Sequence, residues 1–192
     1  MITVPSTVKK VDITVVYSSR NCTKLGGDDF CREYFDLYVH QSENQVVPNP
    51  LTNNATYEKI SEVTAPILGI NARVRKTFSV EVKGKHIILA FHNQGSCSSI
   101  YSVVVSYYVC PVYTIVRGLV SLPRSIAPIN NSVPVQGSCA TNAVYNQGTL
   151  RVDCQSDGVW NISSLKGRCV CRENMENDGG ECKGVIMCKI GR

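Results

Sequence analysis

The chain has 192 residues, ten of them cysteine, with 43% hydrophobic residues, 18% charged residues and a formal net charge of +5. It is too apolar for a disordered chain, and its scattered Lys and Arg make no basic stretch that would point to nucleic acid. No Cys-x-x-Cys occurs and there are only three histidines (His40, His86 and His92), so the cysteines read as an oxidised, extracellular disulfide framework rather than a zinc site.

The length allows one or two domains, and the uneven cysteines favour two. Cys22, Cys31 and Cys97 lie in the first 109 residues; Cys110, Cys139, Cys154, Cys169, Cys171, Cys182 and Cys188 follow. Met1 is followed by ITVPSTVKKVD, which has neither the apolar core nor the cleavage site of a signal peptide. The most apolar stretch, Ser102 to Val120, is interrupted by Pro111 and Arg117 and is too short for a membrane helix. An oxidised chain without an export signal or an anchor is expected to be a fragment, with sequence missing upstream and downstream.

In chain order the elements read as strands. Val11, Ile13, Val15 and Tyr17 alternate with Asp12, Thr14 and Val16; Phe35, Leu37 and Val39 with Asp36, Tyr38 and His40; Phe78, Val80 and Val82 with Ser79, Glu81 and Lys83. Period-two alternation places one set on a core and the other toward solvent. Lys85 to Phe91 and Ile100 to Val109 are more continuously apolar and suit central strands of a sandwich. Gly84 marks a tight turn, as does Gly26-Gly27-Asp28-Asp29 between Cys22 and Cys31. A Cys22–Cys31 disulfide would staple that loop with about 2–3 kcal/mol. Ser42 to Thr56, with two prolines and four asparagines, is a long loop of the kind that is either functional or disordered.

From Cys110-Pro111 the composition shifts. A Cys-Pro start, Gly137-Ser138-Cys139, Cys154 and then Trp160 shortly before Cys169 look like a sushi (complement-control) module. Four cysteines allow three pairings; the sushi likeness implies Cys110–Cys154 and Cys139–Cys169. Trp160 would supply the largest buried area of a unit whose core is small. Cys171, Cys182 and Cys188 look like the opening of an EGF-like repeat, with a Cys171–Cys182 bridge.

SRNC (Ser19 to Cys22), FCREYFDLYVHQSE (Phe30 to Glu43), HIILAFHNQGSCSSIYSVVVSYYVCP (His86 to Pro111), VQGSC (Val135 to Cys139) and CQSDGVWNISSLKGRCVC (Cys154 to Cys171) together resemble an Eph receptor ectodomain, in the order that family uses. The resemblance implies an all-β chain: a jelly-roll β-sandwich over 1–109 that lacks its first strands, a sushi module over 110–170 and the start of an EGF-like module over 171–192. It implies an ephrin on an opposing cell as partner, held by a channel between flexible loops. Those loops map onto Ser42 to Thr56, onto the Cys22–Cys31 loop with the residues before it, and onto Asn93 to Ile100. The expected ligand-binding residues are Arg20, Asn21, Cys22, Cys31, Val46, Val47, Pro48, Asn93, Gln94, Ser96, Cys97 and Ser98. Arg20 would meet an acidic ephrin residue, since a guanidinium forms bidentate charge-assisted bonds to carboxylates. The family's Arg-Asp-Cys is Arg20-Asn21-Cys22 here, so Asn21 heads a glycosylation sequon. Asn54, Asn130 and Asn161 head others. The family pairs the position of Cys97 with an upstream cysteine, so Cys97 has no partner here, and Cys188 awaits one downstream.

The sequence holds no nucleophile elbow, no phosphate-cradling glycine loop and no kinase catalytic-loop motif. His86 and His92 read as strand residues. The chain is therefore expected to be no enzyme, with no metal and no cofactor. A complete parent would be a plasma-membrane receptor tyrosine kinase, able to cluster, with this region outside the cell. Two alternatives remain open at this point. One is a secreted or matrix adhesion protein whose jelly roll binds carbohydrate, with Asp28-Asp29 its only adjacent acids. The other is a decoy receptor without a kinase.

Overall fold

A computed structural model of the protein describes residues 1–22, 32–66 and 72–184. The chain is all-β, and among the described residues helical geometry is limited to single 3₁₀ turns. It divides into two compact units, Met1–Tyr107 and Tyr108–Arg192.

The first unit contains β1 (Ile2–Thr3), β2 (Lys10–Ser19), β3 (Tyr34–Ser42), β4 (Glu58–Thr64), β5 (Val74–Glu81), β6 (His86–His92) and β7 (Ser98–Ser106). They form two antiparallel sheets, ordered β1-β6-β3-β4 and β5-β2-β7. The alternation explains the arrangement. Ile13, Val15 and Tyr17 of β2 point inward with Phe78 of β5, and meet Phe35, Leu37 and Val63 of the other sheet in one apolar cluster. The outward set pairs across strands by polar contacts, with Thr14 and Thr77 hydroxyls 2.9 Å apart and the Ser79 hydroxyl donating to Asp12 at 2.7 Å.

Tyr17 ties the two sheets together. Its side chain is completely buried, its ring stands edge-on to Phe35 at 5.3 Å, and its hydroxyl donates to the Thr64 carbonyl at 2.6 Å. Burial pushes its pKa above the ordinary tyrosine value, because an apolar surrounding penalises the phenolate.

One feature goes beyond the sequence-based expectation and one differs from it. β5 and β6, on either side of Gly84, do not form a hairpin; they belong to different sheets, so the turn carries the chain from one layer to the other. The run Ile100 to Val109 does not form a central strand. β7 ends at Ser106, pairs with β2 and, among the described residues, with no other strand. Its Val103 and Val104 are correspondingly 37% and 51% exposed. The apolar run misleads because apolar content marks a strand but not its place in the sheet: Val103 and Val104 lie in regular register opposite Val15 and Thr14, and stay open because β7 is an edge among the described strands. The Gly26 to Asp29 turn, Cys31 and Cys188 lie outside the described residues.

The second unit contains β8 (Val109–Cys110), β9 (Tyr113–Ile115), β10 (Val120–Leu122), β11 (Ser125–Ile126), β12 (Ser132–Gln136), β13 (Ser138–Cys139), β14 (Ala143–Gln147), β15 (Arg151–Gln155), β16 (Trp160–Asn161), β17 (Arg168–Cys171), β18 (Met175–Asp178) and β19 (Glu181–Gly184). These short strands make small antiparallel sheets such as β13-β10-β9 and β12-β15-β16. Disulfides join Cys110 to Cys154, Cys139 to Cys169 and Cys171 to Cys182. Their sulfurs pack with Leu122, Val152 and Trp160 in one core. The Trp160 indole donates to the Pro111 carbonyl at 2.7 Å, which satisfies its one polar atom.

Two stability outcomes follow. Tyr17→Phe leaves the Thr64 carbonyl without its donor and is expected to cost about 1–3 kcal/mol, read as a lower urea midpoint. In the unfolded chain the tyrosine loses its proton near its ordinary value of 10.0, while the folded state still holds it. The wild type therefore loses this stability as pH rises above about 10, and the variant shows a flatter alkaline limb. In the second unit Gly148 adopts φ +79°, and a Cβ there would lie 2.2 Å from the Lys166 carbonyl oxygen. Gly148→Ala is expected to cost at least about 1–3 kcal/mol, and an unchanged melting temperature would contradict the turn geometry.

Candidate functional site

Three chain segments meet at one end of the first unit. They are the exit of β2, the entry to β3 and the β6–β7 connection. The Arg20 backbone N–H donates to the Cys97 carbonyl at 3.0 Å, and the Arg32 N–H to the Gly95 carbonyl at 3.3 Å. The Ser19 and Ser98 hydroxyls lie 2.9 Å apart; the Ser96 and Ser98 hydroxyls are also hydrogen-bonded. The Cys22 N–H donates to the Glu33 carboxylate at 2.9 Å. Cys22 is itself in a disulfide, while Cys31 lies outside the described residues. Cys97 is an exposed free thiol.

The β6–β7 connection is held in shape by Asn93. Its side-chain oxygen accepts from the Ser96 N–H at 2.6 Å, and its amide donates to the Ser96 carbonyl at 2.7 Å. The short polar side chain thus completes both backbone groups of the turn. Arg20 sits beside this scaffold. It is exposed, and no ion pair among the described residues engages its guanidinium.

The loop between β3 and β4 is the second component. It folds back over the outward side of β3. His40 Nδ1 donates to the Thr56 carbonyl at 2.8 Å, and its ring lies 5.3 Å from that of Tyr57. The buried Tyr57 donates to the Pro48 carbonyl at 2.9 Å. Asn49 caps the tip, accepting from the Leu51 N–H at 3.0 Å. Between loop and sheet is a cavity of about 530 Å³, with Tyr38, Ala90 and His92 as its floor and Pro50, Leu51 and Asn54 along its wall. Val46 and Val47 are each 60% exposed and Leu51 87%. Beside the floor, buried Asp36 holds Lys59 at 2.7 Å and faces His92 at 4.0 Å. The hydrogen bond to Asp36, with its charge, raises the Lys59 pKa above the ordinary value.

Residues 2–110 match the family model described as ephrin receptor ligand binding domain, and residues 113–171 match the one described as ephrin cysteine rich domain. The chain belongs to the ephrin receptor family. Among its relatives, Ephrin type-A receptor 3 of Danio rerio is 30% identical over 189 residues, covering 91% of this chain and 19% of that receptor. Ephrin type-A receptor 4-A of Xenopus laevis is 30% identical, covering 97% and 19%. Ephrin type-A receptor 5 of Homo sapiens is 29% identical, covering 95% and 18%. The chain thus spans about a fifth of the length of the curated ephrin receptors it matches, and neither matched model is a kinase. No described helix is long and apolar enough to cross a membrane.

Within this ephrin receptor chain, hydrogen bonds bring together Arg20, Asn93, Ser96, Cys97 and Ser98. Val46, Val47 and Pro48 belong to the other loop, and no hydrogen bond among the described residues joins them to the Arg20 cluster. The link between the two components is His92 on the cavity floor, whose ring nitrogen meets the Gln94 amide at 3.3 Å. Sequence reasoning missed Tyr38, Ala90 and His92 as cavity residues. The available signal was Tyr38 and His40 on the outward side of a strand, aromatic where solvent-facing residues are usually small or charged.

Asn93→Ala removes both bonds that close the 93–96 turn. Amide hydrogen exchange at Ser96 is expected to rise by more than about tenfold, as the loss of over 1.4 kcal/mol of local stability requires. Unchanged protection there would remove Asn93 as the turn's support.

Proposed function

We propose that this chain is the ephrin-binding part of an extracellular receptor region, displayed at the plasma membrane by a parent that signals at cell contacts through a tyrosine kinase. In this reading residues 1–109 form a jelly-roll ligand-binding domain, 110–170 a sushi-like module and 171–192 the beginning of an EGF-like module. The family membership supports the ligand class. The observation that carries the site is the convergence of three chain segments around an exposed Arg20 that has no carboxylate partner among the described residues, together with a second loop that displays Val46, Val47 and Leu51 to solvent.

Each part has a task in that reading. An ephrin's protruding apolar segment would lose water against the exposed aliphatic side chains of the Ser42 to Thr56 loop, and burial of such area drives association. Arg20 would supply direction, binding an acidic ephrin residue through two parallel N–H···O bonds. Asn93, Gln94, Ser96, Cys97 and Ser98 would present the supporting turn, and Asn21 and Cys22 the adjoining edge, with Cys31 closing its loop. Asn21, Asn54, Asn130 and Asn161 would be the glycosylation positions of an extracellular chain. Clustering of parents would transmit the signal.

The test is binding of the protein to surface-immobilised A-class and B-class ephrins. At least one is expected to bind, and Arg20→Glu to weaken it more than about tenfold by placing like charges together. Arg20→Lys keeps the charge but not the fork and is expected to fall between the two. Equal binding by wild type and Arg20→Glu would take Arg20 out of the site; no binding to any ephrin would overturn the ligand class.

A further inference from the structure

We infer that Asn54 is N-glycosylated and that its glycan covers the cavity beneath the β3–β4 loop. The modification rests on the extracellular placement proposed above, and the regulatory consequence, that this glycan limits access to the ephrin site, rests on the ligand reading as well; the glycan's position over the cavity rests on neither.

Asn54-Ala55-Thr56 is a complete sequon on an exposed 3₁₀ turn that buries none of its residues. Asn54 lines the cavity together with Leu51, Tyr38 and His92. Its backbone carbonyl closes the turn by accepting from the Tyr57 N–H at 3.0 Å, but no hydrogen bond among the described residues engages its side-chain amide. A substituent on Nδ2 therefore displaces no interaction of the fold. The floor rings, Tyr38 and His92 at 6.3 Å, present flat surfaces on which the C–H face of a sugar packs, and the cavity volume lies in the range of small-ligand sites.

The other sequons are less well placed. Asn21 is engaged within the fold, and the central residue of its sequon, Cys22, is in a disulfide. Asn161 is half-buried in β16 and pairs with Asp153. Asn130 is exposed but belongs to the second unit.

The chemistry is that of the secretory pathway. The Asn54 amide nitrogen attacks C1 of an oligosaccharide carried on a polyprenyl diphosphate. The N–C1 bond forms as the C1–O bond to phosphate breaks; the lipid diphosphate leaves with that electron pair, and the amide gives up one proton.

The experiment is to secrete the whole chain from a eukaryotic host and map its peptides by mass before and after peptide N-glycosidase treatment. The Asn54 peptide is expected to carry a glycan, and an unmodified Asn54 peptide overturns the inference. Coverage of the cavity is read without ligand, from the rate at which diethyl pyrocarbonate modifies His92. The glycosylated protein is expected to react several-fold more slowly than Thr56→Ala or Asn54→Gln, which both lack the sequon. Equal rates would overturn coverage. Ephrin binding then separates the two readings. Binding that strengthens in the glycan-free variants supports regulation, and equal binding overturns it. If neither form binds any ephrin, the ligand reading fails while the mass and His92 results still decide the inference.

Discussion

The Tyr17 hydroxyl spans the core of the first unit, from β2 in one sheet to the end of β4 in the other. Much of the site depends on that bond and on the ring beneath it. Tyr17 lies three residues before Arg20, so fixing its depth fixes where β2 leaves the sheet. The antiparallel pairing of β2 with β7 then brings Arg20 against Cys97. The same core holds Phe35, and the neighbouring register of β3 sets Tyr38 and His40 on the outer side, where the β3–β4 loop comes to rest. A buried phenol without a partner would cost more than the bond contributes net, so this connection selects one arrangement of the two sheets over its alternatives.

The second unit solves its stability problem differently. Its strands are two to five residues long, and such strands bury too little apolar surface to hold alone. Three disulfides close chain separations of 44, 30 and 11 residues, restricting the unfolded chain while their sulfurs contribute to the core. The first two loops overlap only over Cys139 to Cys154, so opening either one frees a large part of its segment that the other does not constrain. Trp160 adds the large ring that the short strands cannot supply, seated by its bond to the Pro111 carbonyl.

Much of the first unit was legible because its information is local. Alternation at Ile13, Val15 and Tyr17 is a property of consecutive residues, and it states both strand and inward face. The position of β7 in its sheet is not local. Ile100 to Val109 is apolar enough for a central strand, yet the place of β7 depends on which strands lie beyond it. The cavity was illegible for a related reason. Tyr38, Pro50, Asn54 and His92 meet only because the loop returns over β3, and that return is decided by His40, Tyr57 and the Pro48 carbonyl acting across sequence gaps. Cysteine spacing left three pairings open; the resemblance chose among them where spacing could not.

The two components of the proposed site differ in how they are ordered, and in the proposed reading they would divide recognition between them. The Arg20 cluster is cross-linked by backbone and side-chain hydrogen bonds, so its geometry is set before a partner arrives. A charged group on such a frame loses little freedom on binding, which favours selectivity by direction. The β3–β4 loop is pinned at its base by His40 and Tyr57, while Val46, Val47 and Leu51 remain in water. Those aliphatic groups contribute energy by leaving water but discriminate weakly by shape. A partner that brings an apolar projection without a correctly placed carboxylate would gain the second contribution and lose the first. His92 touches Gln94 on one side and lines the cavity on the other, so one side chain borders both components.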